Sequence, residues 1–161
     1  MRALALLLVA LPAACGAGGA PGADAGPDAA PVVQGSPAGA DLVINELSPR
    51  PAEGADWVEL LNRSDAPIDL TGAFLTDNPD RLDHYLPLAG ELAPGELLVV
   101  EPGEAFGLGV SDQLHIIGAD GLPGDGLAYL MIGAAPGQTL ARLPSGQGAF
   151  RFAPPTPGEP N

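Results

Sequence analysis

Lysine is absent from this chain of 161 residues: its six basic residues are all arginines, set against twenty aspartates and glutamates, for a formal charge of -14. A surface this acidic repels phosphate backbones and anionic lipid headgroups, which argues against nucleic-acid binding by electrostatics. It is also what a soluble, non-sticky surface needs. Aromatic residues are scarce, with one tryptophan, two tyrosines and four phenylalanines, so a core here must be mostly aliphatic. Histidine is limited to His84 and His115, too few for a zinc site at usable spacing. No apolar run approaches the roughly 20 residues of a membrane-spanning helix. Glycine (23) and proline (19) are abundant enough to make long helices unexpected.

The chain opens on "MRALALLLVALPAAC": one basic residue, Arg2, then an apolar run from Ala3 to Leu11, then small residues up to Cys15. This is the layout of an export signal, expected over residues 1–14. Cys15 is the only cysteine, so it can form no internal disulfide. The stretch "LPAACG" resembles the lipobox of bacterial lipoproteins, in which the chain is cut before a cysteine whose sulfur carries a diacylglycerol. Pro12 stands where that pattern usually has leucine. The resemblance implies lipidation of Cys15, a membrane partner reached through the lipid anchor, and, with Gly16 rather than aspartate next, a bacterial outer-membrane lipoprotein of the cell envelope. Ordinary secretion is the alternative. Several acyl chains at about 0.8 kcal/mol per buried CH₂ make such attachment stable. From Gly16 to Ala40 only Asp24, Asp28, Val32, Val33, Gln34 and Ser36 are anything but Gly, Ala or Pro. Such a segment buries no core, and residues 15–40 are expected to be the lipidated cysteine and a disordered tether spanning roughly 25 to 30 Å.

Residues 41–161 read differently. Turn signals such as "NRSDAP", "LAPGE", "GADGLPGDG" and "PSGQG" alternate with short apolar segments, among them "DLVINEL", "DWVELLN", "ELLVVE", "QLHIIG", "LAYLMIG", "TLARL" and "AFRFA". These lengths predict an all-β, antiparallel sandwich or barrel. On "LVINEL", "DWVELLNRSDAPIDLTG", "LTD", "LAPGELLVV", "ADGLPGDGLAY", "ARLPSGQGAFRF" and "TPGEPN", in that order from Asp41 to Asn161, the chain resembles the lamin tail domain family. The resemblance implies an immunoglobulin-like β-sandwich and a non-catalytic structural or interaction module. Members of this family occur in intermediate-filament proteins with nucleic-acid and protein partners, and in bacterial exported proteins. Ala73 stands where members often have tryptophan. The charge balance keeps nucleic acid off this chain's partners, leaving a protein or surface-polymer partner to be identified.

Few residues suggest chemistry of their own. "GAAPGQT" lacks the lysine and spacing of a phosphate loop, and Ser145 lacks the glycine two residues earlier that a nucleophile elbow needs. "TDNPDRLD" sets Asp77, Asp80 and Asp83 three apart, and "ADGLPGDG" carries Asp120 and Asp125. Oxygen-rich loops of this kind can hold Ca²⁺, which makes these five the candidates for calcium and for a calcium-assisted adhesion module, although neither loop is an EF-hand and ordinary turn chemistry is the preferred explanation. No other cofactor is expected.

Glu46 and Glu59 each sit in an apolar strand. By alternation Glu46 shares a face with Leu42 and Ile44, and Glu59 with Trp57 and Leu61. Trp57 is expected to be buried. A close carboxylate pair is what a glycosidase builds, so a small extracellular hydrolase is a rival reading. The preferred expectation is structural, with metal ligation by the two glutamates as the second reading: both accept hydrogen bonds from loop amides or from Arg142 or Arg63. The family resemblance supports Arg142, because "ARLPSG" recurs with these glutamates.

If Cys15 carries the anchor, Cys15→Ser moves the protein from the membrane pellet to the soluble fraction. Sedimentation of the serine variant to the wild-type extent would contradict lipidation there.

Overall fold

A computed structural model of the protein describes residues 40–161. The expected signal, Cys15 and the tether through residue 39 lie outside the described residues. The chain forms strands β1 (Leu42–Ser48), β2 (Trp57–Asn62), β3 (Ile68–Asp69), β4 (Phe74–Thr76), β5 (Leu86–Pro87), β6 (Glu91–Leu92), β7 (Leu97–Val100), β8 (Ser111–Ile117), β9 (Pro123–Leu130), β10 (Thr139–Leu143) and β11 (Ala149–Ala153). One 3-10 turn, Leu82–His84, is the only helical element among the described residues. Every pairing is antiparallel, as short strands between Gly/Pro turns dictate.

Two sheets form the sandwich, one of five strands in the order β11-β10-β1-β2-β7 and one of four in the order β5-β4-β8-β9, with β3 and β6 making a separate pair. Alternation sends Ile44, Leu47, Val58 and Leu60 from the first sheet and Leu75, Leu114 and Leu127 from the second into one core. Each such aliphatic burial stabilises by about 1.5–3 kcal/mol. Phe106, Tyr129 and Phe150 are the aromatic residues buried in that cluster. Ala73 is buried too, but it fills the core at the turn after Leu70 with no more than a methyl group.

β9 begins earlier than its sequence suggests. "GADGLPGDG" reads as one long turn, yet Pro123 and Gly126 already pair with β8, opposite Ile117 and His115. A Cβ on Gly126 would come within 2.9 Å of the Leu114 carbonyl and one on Gly124 within 3.4 Å of that of Ile116, so both glycines permit close strand approach beside the irregularity at His115–Ile117. Asp125, between them, is thereby turned away from solvent. Its expected place on an open calcium loop is corrected: its side chain is wholly buried.

What Asp125 meets there closes the sandwich. The β1–β10 ladder pairs only Glu46 with Ala141 and Leu47 with Leu140, so it ends before Ile44. Beyond that point Ile44 N–H donates to Asp125 Oδ2 at 2.8 Å, and Arg142 Nε donates to the Ile44 carbonyl at 2.7 Å. Arg142 Nη2 reaches Asp125 Oδ2 at 3.1 Å, and its guanidinium lies 4.4 Å from the centroid of the Phe150 ring. The pair therefore supplies the hydrogen bonds that Ile44 would otherwise leave unmade.

Removing Asp125 takes away the acceptor of the Ile44 N–H and the buried carboxylate that faces Arg142. Asp125→Ala should lower unfolding stability by about 3–5 kcal/mol, as read by denaturant unfolding. A loss under 1 kcal/mol would show that the inter-sheet tie is dispensable.

Candidate carboxylate site

Between Ile44 and Glu46 the β1–β2 register slips: Ile44 faces Leu60, whereas Glu46 faces Glu59. Asn45 is the extra residue of a β-bulge, and one extra residue inverts the alternation beyond it. Glu59 does share a face with Trp57 and Leu61, as period two requires. Glu46 does not share one with Ile44; the bulge turns it to the outer face of the five-stranded sheet, directly across from Glu59. Like charges placed so are destabilising unless each carboxylate is supplied with donors.

The donors come from neighbouring strands and from residues 154–161, which fold over this outer face. Glu46 Oε1 accepts from the Thr139 hydroxyl at 2.5 Å and from Thr156 N–H at 3.2 Å, and Oε2 lies 2.8 Å from the Thr156 hydroxyl. Glu59 Oε1 accepts from Asn45 Nδ2 at 2.8 Å, and Oε2 from Gly158 N–H at 2.6 Å. Asn161 extends the network, with Nδ2 donating to the carbonyls of Asn45 and Arg142 and N–H to Ser145 Oγ. Asn45 Oδ1 in turn accepts Gly146 N–H at 2.8 Å. Neither glutamate has solvent exposure.

Arg142, expected among the donors, has another place. Ala141 is the residue opposite Glu46, so the next side chain along β10 points to the other face, where Asp125 lies. Arg63 bonds to the carbonyls of Ala40 and Gly146. Asn45, Thr139, Thr156 and Gly158 supply the donors that were expected of the arginines. The "TPGEPN" stretch was visible as a motif, but a single sequence does not show that it returns across a sheet formed from residues about a hundred positions earlier.

The chemistry open to this pair is narrow. Both carboxylates are hydrogen-bonded within the domain, and residues 154–161 cover them. Trp57, 8% exposed, borders the same cover, with Pro155 and Pro157 beside it. Burial pushes the Glu59 carboxyl above its ordinary value of 4.5, and the Glu46 charge adds to this, against the opposing bonds from Asn45 and Gly158.

The other acidic candidates are dispersed. Asp77 Oδ1 lies 2.7 Å from His84 Nδ1, and Asp83 pairs with Arg81 at 2.6 Å, a bond that holds the Asp83 carboxyl below its usual range. Asp80 is exposed beside the Asn78 turn, and Asp120 accepts the Leu122 N–H in its own turn. Among the described residues no group of three or more His, Cys, Asp or Glu is arranged to hold a metal ion. Ser145 accepts from Asn161 N–H, and the half-buried His115 has its pKa lowered by burial.

The profile of the Lamin Tail Domain family matches residues 35–134, a span that contains β1 to β9 and both glutamates. Strands β10 and β11 and the cover lie beyond it, although they complete the same sheet. No curated protein matches the chain.

A carboxyl whose folded pKa is raised binds protons more readily in the native state, so its unfavourable contribution is greatest above that value and shrinks as pH falls towards 4.5. Wild type should therefore gain stability relative to Glu59→Gln on acidification from pH 7 through this window, as read by thermal unfolding. The opposite trend would mean that the donors outweigh burial.

Proposed function

Because the chain belongs to the lamin tail domain family, we propose that it is an exported cell-envelope protein, anchored to the outer membrane by lipid on Cys15, whose sandwich serves as a non-catalytic interaction module. The immunoglobulin-like fold supports a structural or interaction role. The observation that carries the non-catalytic reading is the sealing of Glu46 and Glu59: two carboxylates able to act as acid and nucleophile are fully buried and spent on Thr139, Thr156, Asn45 and Gly158. A hydrolase needs at least one of them open to water and substrate.

The anchor reading rests on Cys15 at the end of an export-like leader, and the Gly/Ala/Pro tether would hold the domain clear of the headgroups. Nucleic acid is not a partner of so acidic a chain. The partner is a protein or polymer of the cell surface. Calcium assistance loses support from the engagement of Asp77, Asp83 and Asp125 with His84, Arg81 and Arg142.

Affinity capture with the full chain on an extract of its own cell surface tests this reading. A specific partner should be retained equally with and without EDTA. Capture abolished by EDTA would replace the reading with a calcium-assisted adhesion module, and hydrolysis of a surface polymer lost in Glu46→Gln would replace it with an enzyme.

A further inference from the structure

At one end of the sandwich, where β1 begins and the β8–β9 turn folds over the turn that follows β3, lies an open groove of about 640 Å³. Its floor is apolar, formed by Leu42, Ile68, Ala73 and Ile116. Ala73 contributes only a methyl group to that floor. Leu122, on the β8–β9 turn at the rim, is 64% exposed, an unusual position for a large aliphatic side chain with an apolar hollow beside it. The volume is in the range of binding clefts and exceeds what one aliphatic side chain fills.

The rim is charged with one sign. Asp41, Asp69 and Asp120 border the groove, and all three are exposed. No arginine lines it. Asp69 is held below the ordinary carboxylate range by hydrogen bonds from the Thr71 side chain and backbone, so its charge persists in mild acid.

We propose that this groove binds a segment of a partner protein that inserts an aromatic side chain between Leu122 and the Ala73 floor and sets neighbouring lysine or arginine residues against Asp41, Asp69 and Asp120. An aromatic ring supplies the apolar bulk that the cavity accepts, and the flanking cations meet a rim with no positive charge of its own. Charge complementarity selects this occupant over the alternatives within the chain. Residues 16–39 carry no basic residue and two aspartates, and a second copy would bring the same acidic surface. The inference rests on the interaction-module reading and gives it a partner class.

The probe is the peptide Lys-Lys-Trp-Lys-Lys, with Lys-Lys-Gly-Lys-Lys and Glu-Glu-Trp-Glu-Glu as controls, titrated into the full chain while backbone amide shifts are followed. The lysine–tryptophan peptide should saturate shifts confined to residues 40–42, 68–73 and 116–124, and neither control should do so. Asp69→Asn with Asp120→Asn keeps the acceptor oxygens of both turns and should weaken binding roughly three- to tenfold, the effect of losing two exposed ion pairs. Ala73→Trp fills the floor and should abolish binding; if that variant does not fold, Leu122→Ser, at an exposed position, should weaken it. Shifts scattered over the acidic surface, unaffected affinity in the variants, or no binding at millimolar peptide would overturn the proposal. So would binding seen only after deletion of residues 16–39, which would assign the groove to this chain's own segment, or concentration-dependent dimerisation abolished by the groove variants, which would assign it to a second copy. None of these failures touches the module reading, which falls only on the capture and hydrolysis outcomes given above.

Discussion

Asp125 and Arg142 perform at Ile44 the task that a strand ladder performs elsewhere, and the closure of the sandwich depends on it. Asp125 sits on β9 of the four-stranded sheet and Arg142 on β10 of the five-stranded one. Between them they serve both peptide groups of a residue at the centre of the fold. A buried ion pair seldom stabilises by Coulomb attraction alone, because removing two charges from water costs several kcal/mol per ion. Here each partner also bonds a peptide group of Ile44, which would itself be costly to leave unmatched. The pair thus also fixes how the two sheets sit against each other.

The outer face of the five-stranded sheet follows a second constraint. One extra residue, Asn45, brings Glu46 opposite Glu59, and a pair of buried carboxylates demands donors. Residues 154–161 supply several of them and in doing so become part of the domain. The bulge, the glutamates and the cover form one unit: the bulge creates the electrostatic problem, the cover satisfies it, and Trp57 is shielded by the same cover. Two residues of a type used in catalysis are thereby hydrogen-bonded and covered.

The open end of the sandwich contrasts with both. Around Ala73 the apolar residues leave a hollow bordered by Asp41, Asp69 and Asp120 and lined by no arginine, whereas Asp77, Asp83 and Asp125 are paired with His84, Arg81 and Arg142. In a family whose fold supports interaction rather than catalysis, unspent charge beside unspent apolar surface marks where recognition can occur.

Local pattern by itself determined the class of fold, the strand-rich region and most strand positions, because alternation, turn residues and segment length act over a few neighbours. It also determined the burial of Trp57. Three things were beyond its reach. A bulge at Asn45 leaves no mark in alternation that would distinguish it from an ordinary strand, so the face of Glu46 came out inverted. "GADGLPGDG" has turn composition, yet two of its glycines serve close strand approach and Asp125 is buried between them. Arg142 pairs with Asp125 rather than with the glutamates because the β1–β10 register fixes the face on which it points. Register, bulge and the return of residues 154–161 over the sheet are set by contacts between positions far apart in the chain, and those only the tertiary structure decided.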